Sequence, residues 1–399
     1  MLPFKLRHFP CVTSLLLLTA VGAPACGRLA PPANPGDAAS DTSSSDNGAT
    51  DNSGVKEDAP GDSSAPGDTG APGDTLTGDG CNESTVQLPA ECPHDTFAPD
   101  SPTQPWRHSS NKYFVVTQGA PRHRCLDMVF NPGQPQVLIG KFVYGAFDTD
   151  VEDELVEIWA RVSCDSWVKL GASLTTTGNA GTVAGVPDDG GRVFFVVPQE
   201  RALPAGTYPI RMLVKGDHSV ADCTLAVWEQ GTRVVVSDID GTLTTSEYDG
   251  LWTAFSPSSP DPNPSAPDVF WWYAKKGYRI LYLTARPEFL LNGTRAWFQE
   301  QGFPKGLFHL VPNNTGAMGD GATEYKAGYL KERVANQALI FDWAYGNKDT
   351  DLAAYLQAEI APSHIYLFLY DGELMGAHRL ADYADEIPRV KCLPPASQP

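Results

Sequence analysis

Asp238 and Asp240 stand two residues apart in the run V-V-V-S-D-I-D-G-T-L-T, Val234 to Thr244. Three β-branched residues lead into two carboxylates, and Gly241 and Thr242 follow. In extended chain, residues two apart project to the same side. One carboxylate is then placed to attack a phosphorus atom while the other handles a proton. The plainer reading is an Asp-Gly turn with a spare acid, and the rest of the chain must decide between the two. Three further groups follow at intervals suited to phosphoryl transfer. Thr284 ends the apolar run Ile280–Leu283 and precedes Ala285-Arg286-Pro287, where a hydroxyl and backbone N–H groups ahead of a helix make an anion cradle. Lys326 lies in E-Y-K-A-G-Y-L, at the opening of a predicted helix, and would offset the charge of a transferring phosphoryl group. Asn347 and Asp351 lie in G-N-K-D-T-D, which supplies another carboxylate. Taken singly, each has an ordinary reading. Lys326 alone is a helix-surface lysine, Asp349 is a helix N-terminal acid favoured by the dipole, and Arg286 either touches phosphate or pairs with a neighbouring acid.

These residues need elements to hold them. Arg233–Ser237, Arg279–Leu283, Leu307–Val311, Ala338–Phe341 and His364–Leu369 read as strands, with helices predicted at Thr294–Gln301, Tyr325–Ala335 and Asp349–Gln357. Short apolar strands alternating with helices predict a doubly wound parallel sheet, whose ligands bind beyond the carboxyl ends of the strands. About forty residues separate the first two motifs, which leaves room for a small cap or none. Of the aromatic residues in that interval, Trp271–Tyr273 are expected to pack a helix on the sheet. Trp252 and Phe255, in a Pro/Ser-rich loop, are the better candidates for lipid contact.

The set resembles the haloacid dehalogenase superfamily of phosphatases. Within it, D-I-D-G-T-L-T-x-S-E, Y-L-T-A-R-P, F-P-K-G and G-N-K-x-T-D resemble the lipin-type catalytic domain, also found in some animal phosphatidylinositol-transfer proteins. The likeness covers about residues 233–376. It implies Asp238 as nucleophile, Asp240 as general acid/base, and Thr284, Lys326, Gly241 and Thr242 around the phosphate. It also implies Mg²⁺ held by Asp238, Asp240 and Asp351, with Asn347 and Arg286 as secondary candidates. The implied reaction is phosphatidic acid to diacylglycerol and phosphate. The alternatives are a phosphatase for soluble phosphomonoesters, or a catalytically weak module that binds the phospholipid head group.

Ahead of this half, residues 106–230 carry short runs at Lys112–Thr117, Val137–Phe147, Leu155–Ser163, Arg192–Val197, Tyr208–Val214 and Thr224–Trp228. Turn residues at Asn131-Pro132-Gly133 and Asp188–Gly191 punctuate them. This pattern predicts an antiparallel, immunoglobulin-like β-sandwich with Tyr208 as a corner residue. Residues 81–105 read as a Cys-containing connector, 231–376 as the phosphatase domain and 377–399 as a C-terminal tail.

The net charge of −19 belongs largely to a linker: between Asp37 and Asp79 lie ten acidic residues against Lys56 alone. Ala-Pro-Gly-Asp recurs from Ala59, Ala65 and Ala71, and residues 26–80 have little to bury, so a self-repelling tether is expected. The balance speaks against nucleic acid as a partner. Residues 1–25 combine Lys5, Arg7 and His8 with a short apolar run and small residues, the pattern of a signal peptide. Cys26 then resembles the acylated residue of a bacterial lipoprotein. The expected location is therefore the bacterial cell envelope through a lipid anchor, otherwise secreted or periplasmic. Six later cysteines allow up to three disulfides, with Cys81–Cys92 the nearest pair, and no C-x-x-C spacing supports zinc.

Overall fold

The computed structural model describes residues 81, 84–179, 181–246 and 260–396. Trp252 and Phe255 lie outside them, as do Cys26 and the predicted signal and tether.

Val234, Val235 and Val236 are fully buried, which excludes both faces of this strand from water and stabilises it by about 1.5–3 kcal/mol per side chain. Strand β1 (Arg233–Ser237) therefore runs through the middle of a six-stranded sheet with β2 (Arg279–Pro287), β3 (Leu307–Val311), β4 (Ile340–Gly346), β5 (Ile365–Phe368) and β6 (His378–Leu380). The order is β3-β2-β1-β4-β5-β6, and every pair is parallel. Helices α1 (Ala266–Lys275), α2 (Leu291–Glu300), α3 (Asp320–Gln337), α4 (Asp349–Gln357) and α5 (Glu386–Cys392) complete the doubly wound unit. Chain order reverses between β1 and β4, so the crevice for a ligand lies beyond their carboxyl ends.

The expected tail is part of this unit. Strand β6 extends the sheet, Tyr383 is fully buried, and its hydroxyl donates to the Thr242 carbonyl at 3.1 Å. A short strand with one inward Leu380 carries too little periodicity to be read from sequence. Tyr273 packs α1 into the core as expected, and the Trp271 indole donates to the Gly302 carbonyl.

The sandwich precedes it. Arg124–Cys125, Val137–Lys141 and Arg192–Val196 form one sheet. Met128–Phe130, Val220–Val227, Gly206–Val214, Leu155–Ser163 and Ser166–Leu174, in that order, form the other. Pairing is antiparallel except between Met128–Phe130 and Val220–Val227, which run parallel. The run Lys112–Thr117 is not a strand: residues 111–118 form helical turns that bury Val115 and leave Tyr113 and Phe114 exposed. Its β-branched residues favour a strand, but burial of one side overrides that preference. Tyr208 turns its hydroxyl back towards the Ala205 carbonyl at 3.5 Å.

The cysteines pair as Cys81–Cys392, Cys92–Cys164 and Cys125–Cys223, so the local pair Cys81–Cys92 is corrected. The connector is held instead by the α/β unit and then the sandwich. Val86 N–H donates to Lys275 O, and Phe97 packs edge-on against Trp159 and Trp167.

Candidate functional site

Asp238 lies at the carboxyl end of β1 and is 5% exposed. Its N–H donates to the Tyr345 carbonyl of β4 at 2.9 Å, which continues the sheet pairing one residue past the strand. Gly241 then turns the chain with φ of 72°, a left-handed conformation that glycine adopts without cost. The Gly241 N–H is taken up by this turn, donating to the Thr244 hydroxyl at 3.0 Å and the Ser246 carbonyl at 3.2 Å. Asn263 reaches back to the carbonyls of Thr242 and Thr244 and braces the turn from the start of α1.

Lys326, in the second turn of α3, is 3% exposed and donates to Asp238 Oδ1 and Asp351 Oδ1, each at 2.6 Å. Asp351 Oδ2 accepts from the N–H groups of Asn347 and Lys348 at 3.0 and 3.2 Å, satisfying free donors where α4 begins. Gly346 permits this closeness, since a Cβ there would meet the Asp351 Cβ at 2.5 Å. Burial first, and then the neighbouring charge of Asp351, pushes the Asp238 carboxyl above the ordinary carboxylate range, against the pull of Lys326. Burial works against the Lys326 ammonium, but Asp238 and Asp351 together hold its proton more firmly than usual.

Asp240 turns to the other side of the crevice. Arg286 Nη2 reaches Asp240 Oδ1 at 2.6 Å and Nε reaches Oδ2 at 2.9 Å, a bidentate fork. The Thr284 hydroxyl also donates to Asp240 Oδ2, at 3.3 Å. Arg286 thus pairs with the neighbouring acid, the second of the two roles open to it from the sequence. Thr294 of α2, which sequence reasoning passed over, accepts from Arg286 Nη1 at 3.0 Å. A hydroxyl eight residues beyond an arginine, on the next element, gives no sequence signal.

The residues expected around one cation divide into two sets. Among the described residues no three His, Cys, Asp or Glu side chains are grouped to hold a metal ion. Both oxygens of Asp240 are engaged by Arg286, and both oxygens of Asp351 by Lys326 and backbone N–H groups. Asp238 Oδ2 has its nearest partner in the Thr242 hydroxyl at 3.5 Å, and that hydroxyl also donates to Asn347 Oδ1 at 3.1 Å. Asp238 and Asn347 therefore bring hard oxygen donors to one spot, the type Mg²⁺ takes when waters and phosphate oxygens complete its shell. Three carboxylates face two side-chain cations here, an excess of one negative charge that suits a divalent ion.

Among the described residues no helix is long and apolar enough to cross a membrane. Comparison with known proteins matches residues 235–368 to the family model described as PITM 1-3, LNS2 domain, and residues 121–227 to the PITM 1-3 beta-sandwich domain. Human membrane-associated phosphatidylinositol transfer protein 1 is 31% identical over 70% of this chain and 21% of its own length. Protein retinal degeneration B of Drosophila melanogaster is 28% identical over 68% of this chain and 20% of its own. The chain thus spans about a fifth of the curated relatives it matches. Among solved structures, a phospho-aspartyl intermediate analogue of phosphoserine phosphatase aligns at a TM-score of 0.30 and 12% identity, covering 40% of this chain and 99% of that one.

These relatives correct the expected location. Both are proteins of animals, and the human one is named as membrane-associated, which overturns the bacterial envelope lipoprotein and its secreted or periplasmic alternative. An apolar run followed by small residues and a cysteine is a pattern of composition, and composition alone misled here. The chain joins a segment like the PITM 1-3 beta-sandwich domain to one like the PITM 1-3 LNS2 domain, built on a doubly wound parallel sheet.

Proposed function

We propose that this chain is a Mg²⁺-dependent phosphatase that works through an aspartyl-phosphate on Asp238, with phosphatidic acid as its leading substrate. One observation supports the reading above all. Asp238 ends the central strand at the switch point and shares a buried lysine with Asp351.

Lys326 pins one oxygen of Asp238, leaving Oδ2 to attack. A P–O bond forms at Oδ2 as the bond from phosphorus to the leaving alkoxide breaks. Asp240 protonates that alkoxide and then takes a proton from the water that cleaves the aspartyl-phosphate. Lys326 offsets the charge that spreads over the transferring group, with Thr284 and Thr242 lining its path. Gly241 contributes the turn rather than a free N–H. Mg²⁺ would be held beside the Asp238 carboxylate by the side-chain oxygen of Asn347, with water and phosphate oxygens completing its shell, and would supply the positive charge that lets a carboxylate approach a phosphate ester. Arg286 orients Asp240, and must release one oxygen for Asp240 to carry a proton.

That last requirement favours a second reading. With both Asp240 oxygens engaged by Arg286, the domain would bind a phospholipid head group and turn it over poorly, which accords with relatives named as phosphatidylinositol transfer proteins. The test is phosphate release by the full chain with and without Mg²⁺. Phosphatidic acid in mixed micelles is compared with a panel of soluble phosphomonoesters, and Asp238→Asn is the blank. Mg²⁺-dependent release from phosphatidic acid is expected. Release only from soluble esters would discard the lipid substrate. No release, with binding to phosphatidic acid vesicles, would leave the binding module.

A further inference from the structure

We infer that the β-sandwich is a working part of this site, and that Glu288 is the positioning residue through which it acts. This rests on the reading of Asp238 and Asp240 as the reacting pair.

Glu288 follows Arg286 by two residues, at the corner where β2 gives way to α2, and is fully buried. Its carboxylate meets no cation from its own domain among the described residues. Arg192 of the sandwich reaches Oε1 at 2.7 Å and Oε2 at 3.2 Å, and Arg124 reaches Oε1 at 3.1 Å. Both guanidinium groups are themselves buried, and each is held a second time within the sandwich, Arg192 by Asp189 and Arg124 by Asp148. A two-pronged contact from Arg192 and a third bond from Arg124 fix the orientation of the carboxylate as well as its place.

The same corner carries Arg286 from both sides. The backbone of Arg286 lies two residues before Glu288, and Thr294, which accepts from its guanidinium, lies six residues after. The sandwich ties down the helix beyond the corner as well. Asn292 donates to the His123 carbonyl at 2.7 Å, and Arg295 meets the buried Asp127 at 2.6 Å. The segment 284–295 is therefore gripped on its outer side by the sandwich while its inner side presents Arg286 to Asp240. A shift of about 1 Å in a positioning group is enough to cost on the order of 100-fold in rate. The seam is thus the frame in which Asp240 is aimed.

Glu288→Gln keeps the shape of the side chain and removes its charge. Turnover of phosphatidic acid by the folded variant is expected to fall about 10- to 100-fold in kcat, with KM changed by less than about twofold, because aim matters in the transition state. A purely structural role would lower the folded fraction and leave kcat per folded molecule unchanged. A second variant, Arg124→Met/Glu288→Leu/Arg192→Met, replaces the buried ions by apolar side chains of similar size, an exchange that keeps such seams folded. It is expected to be as slow as Glu288→Gln, and turnover at the unaltered rate would overturn the inference. A readout independent of activity is the ¹⁵N-detected Nε–H resonance of Arg286, assigned by its loss in Arg286→Lys. It should be sharp and protected in the unaltered chain, and shifted or broadened in both seam variants while that of Arg211 is unchanged. An unmoved Arg286 resonance in a folded variant would overturn the inference, whether or not the chain proves to be a phosphatase.

Discussion

Two clusters of buried charge lie within a few residues of each other along β2, and they differ in how their charges are matched. In the seam with the sandwich, Glu288 is met by two guanidinium groups, and Asp127 by Arg295 and the N–H groups of Thr224 and Phe308. Every carboxylate oxygen named there has a donor. In the crevice beyond β1 and β4, the three carboxylates of Asp238, Asp240 and Asp351 share two side-chain cations, Lys326 and Arg286, and one oxygen of Asp238 has a single distant partner. Matched charge holds two domains together and is chemically quiet. Unmatched charge of the same kind leaves Asp238, the proposed nucleophile, with an oxygen to use. The difference lies in the count of donors, since both clusters are sequestered from water to a similar degree.

The comparison is broken most directly at the crevice, where reaction is proposed. Asp238→Asn should lower phosphate release by at least about 1000-fold with the fold intact. Rate and near-ultraviolet circular dichroism are measured together, and retained turnover in a folded variant would remove Asp238 from its role. The matched end responds in stability instead. Arg192→Met leaves Glu288 buried with one cation fewer, and should cost about 3–5 kcal/mol in chemical denaturation. A cost well under 1 kcal/mol would show that the seam does not depend on matched charge.

Acid sharpens the contrast further. His123 of the sandwich is buried, its Nδ1 accepting from Val143 N–H, and burial lowers its pKa to about 4. The folded chain keeps this ring neutral while the unfolded chain binds a proton below about pH 6.5, so stability is complete above that value and is lost as pH falls towards 4. The loss from this group amounts to about 3 kcal/mol. His309, stacked on Tyr329 and lowered to about 3 by burial, adds to the slope in the same direction. Denaturation midpoints across this range, with His123→Phe for comparison, should show a shallower fall in the variant. The smallest effect belongs to Phe147, 92% exposed beside the seam residue Asp148. Phe147→Ser should change stability by no more than about 0.5 kcal/mol, and a larger effect would extend the seam outward to this loop.

The crevice cluster was far more legible in sequence than the matched one. Asp238, Lys326 and Asp351 come together because strand ends and helix starts are local features, and alternating strands and helices bring those ends to one edge. The crossover from β1 to β4 then needs no knowledge of side-chain partners. Glu288 escaped notice because its partners are 96 and 164 residues away and on another domain. The disulfides failed for a similar reason: nearness in sequence favours Cys81–Cys92, whereas the connector runs to α5 before it meets the sandwich. The metal expectation named three aspartates, and what sequence does not show is that Asp351 also meets Lys326 and the start of α4 and that Asp240 meets Arg286.

The bond between Cys81 and Cys392 joins residues 311 apart in sequence, and the other two bridges lie inside the span it closes. The folded region is therefore a covalent ring with its two entry points side by side, the Cα atoms 4.8 Å apart. A single cut at any peptide bond within that ring leaves one molecule, linear but unbroken, until a reductant is added. New chain ends opened in a surface turn, with the old ones joined by a short peptide, would reproduce the same connectivity without sulfur.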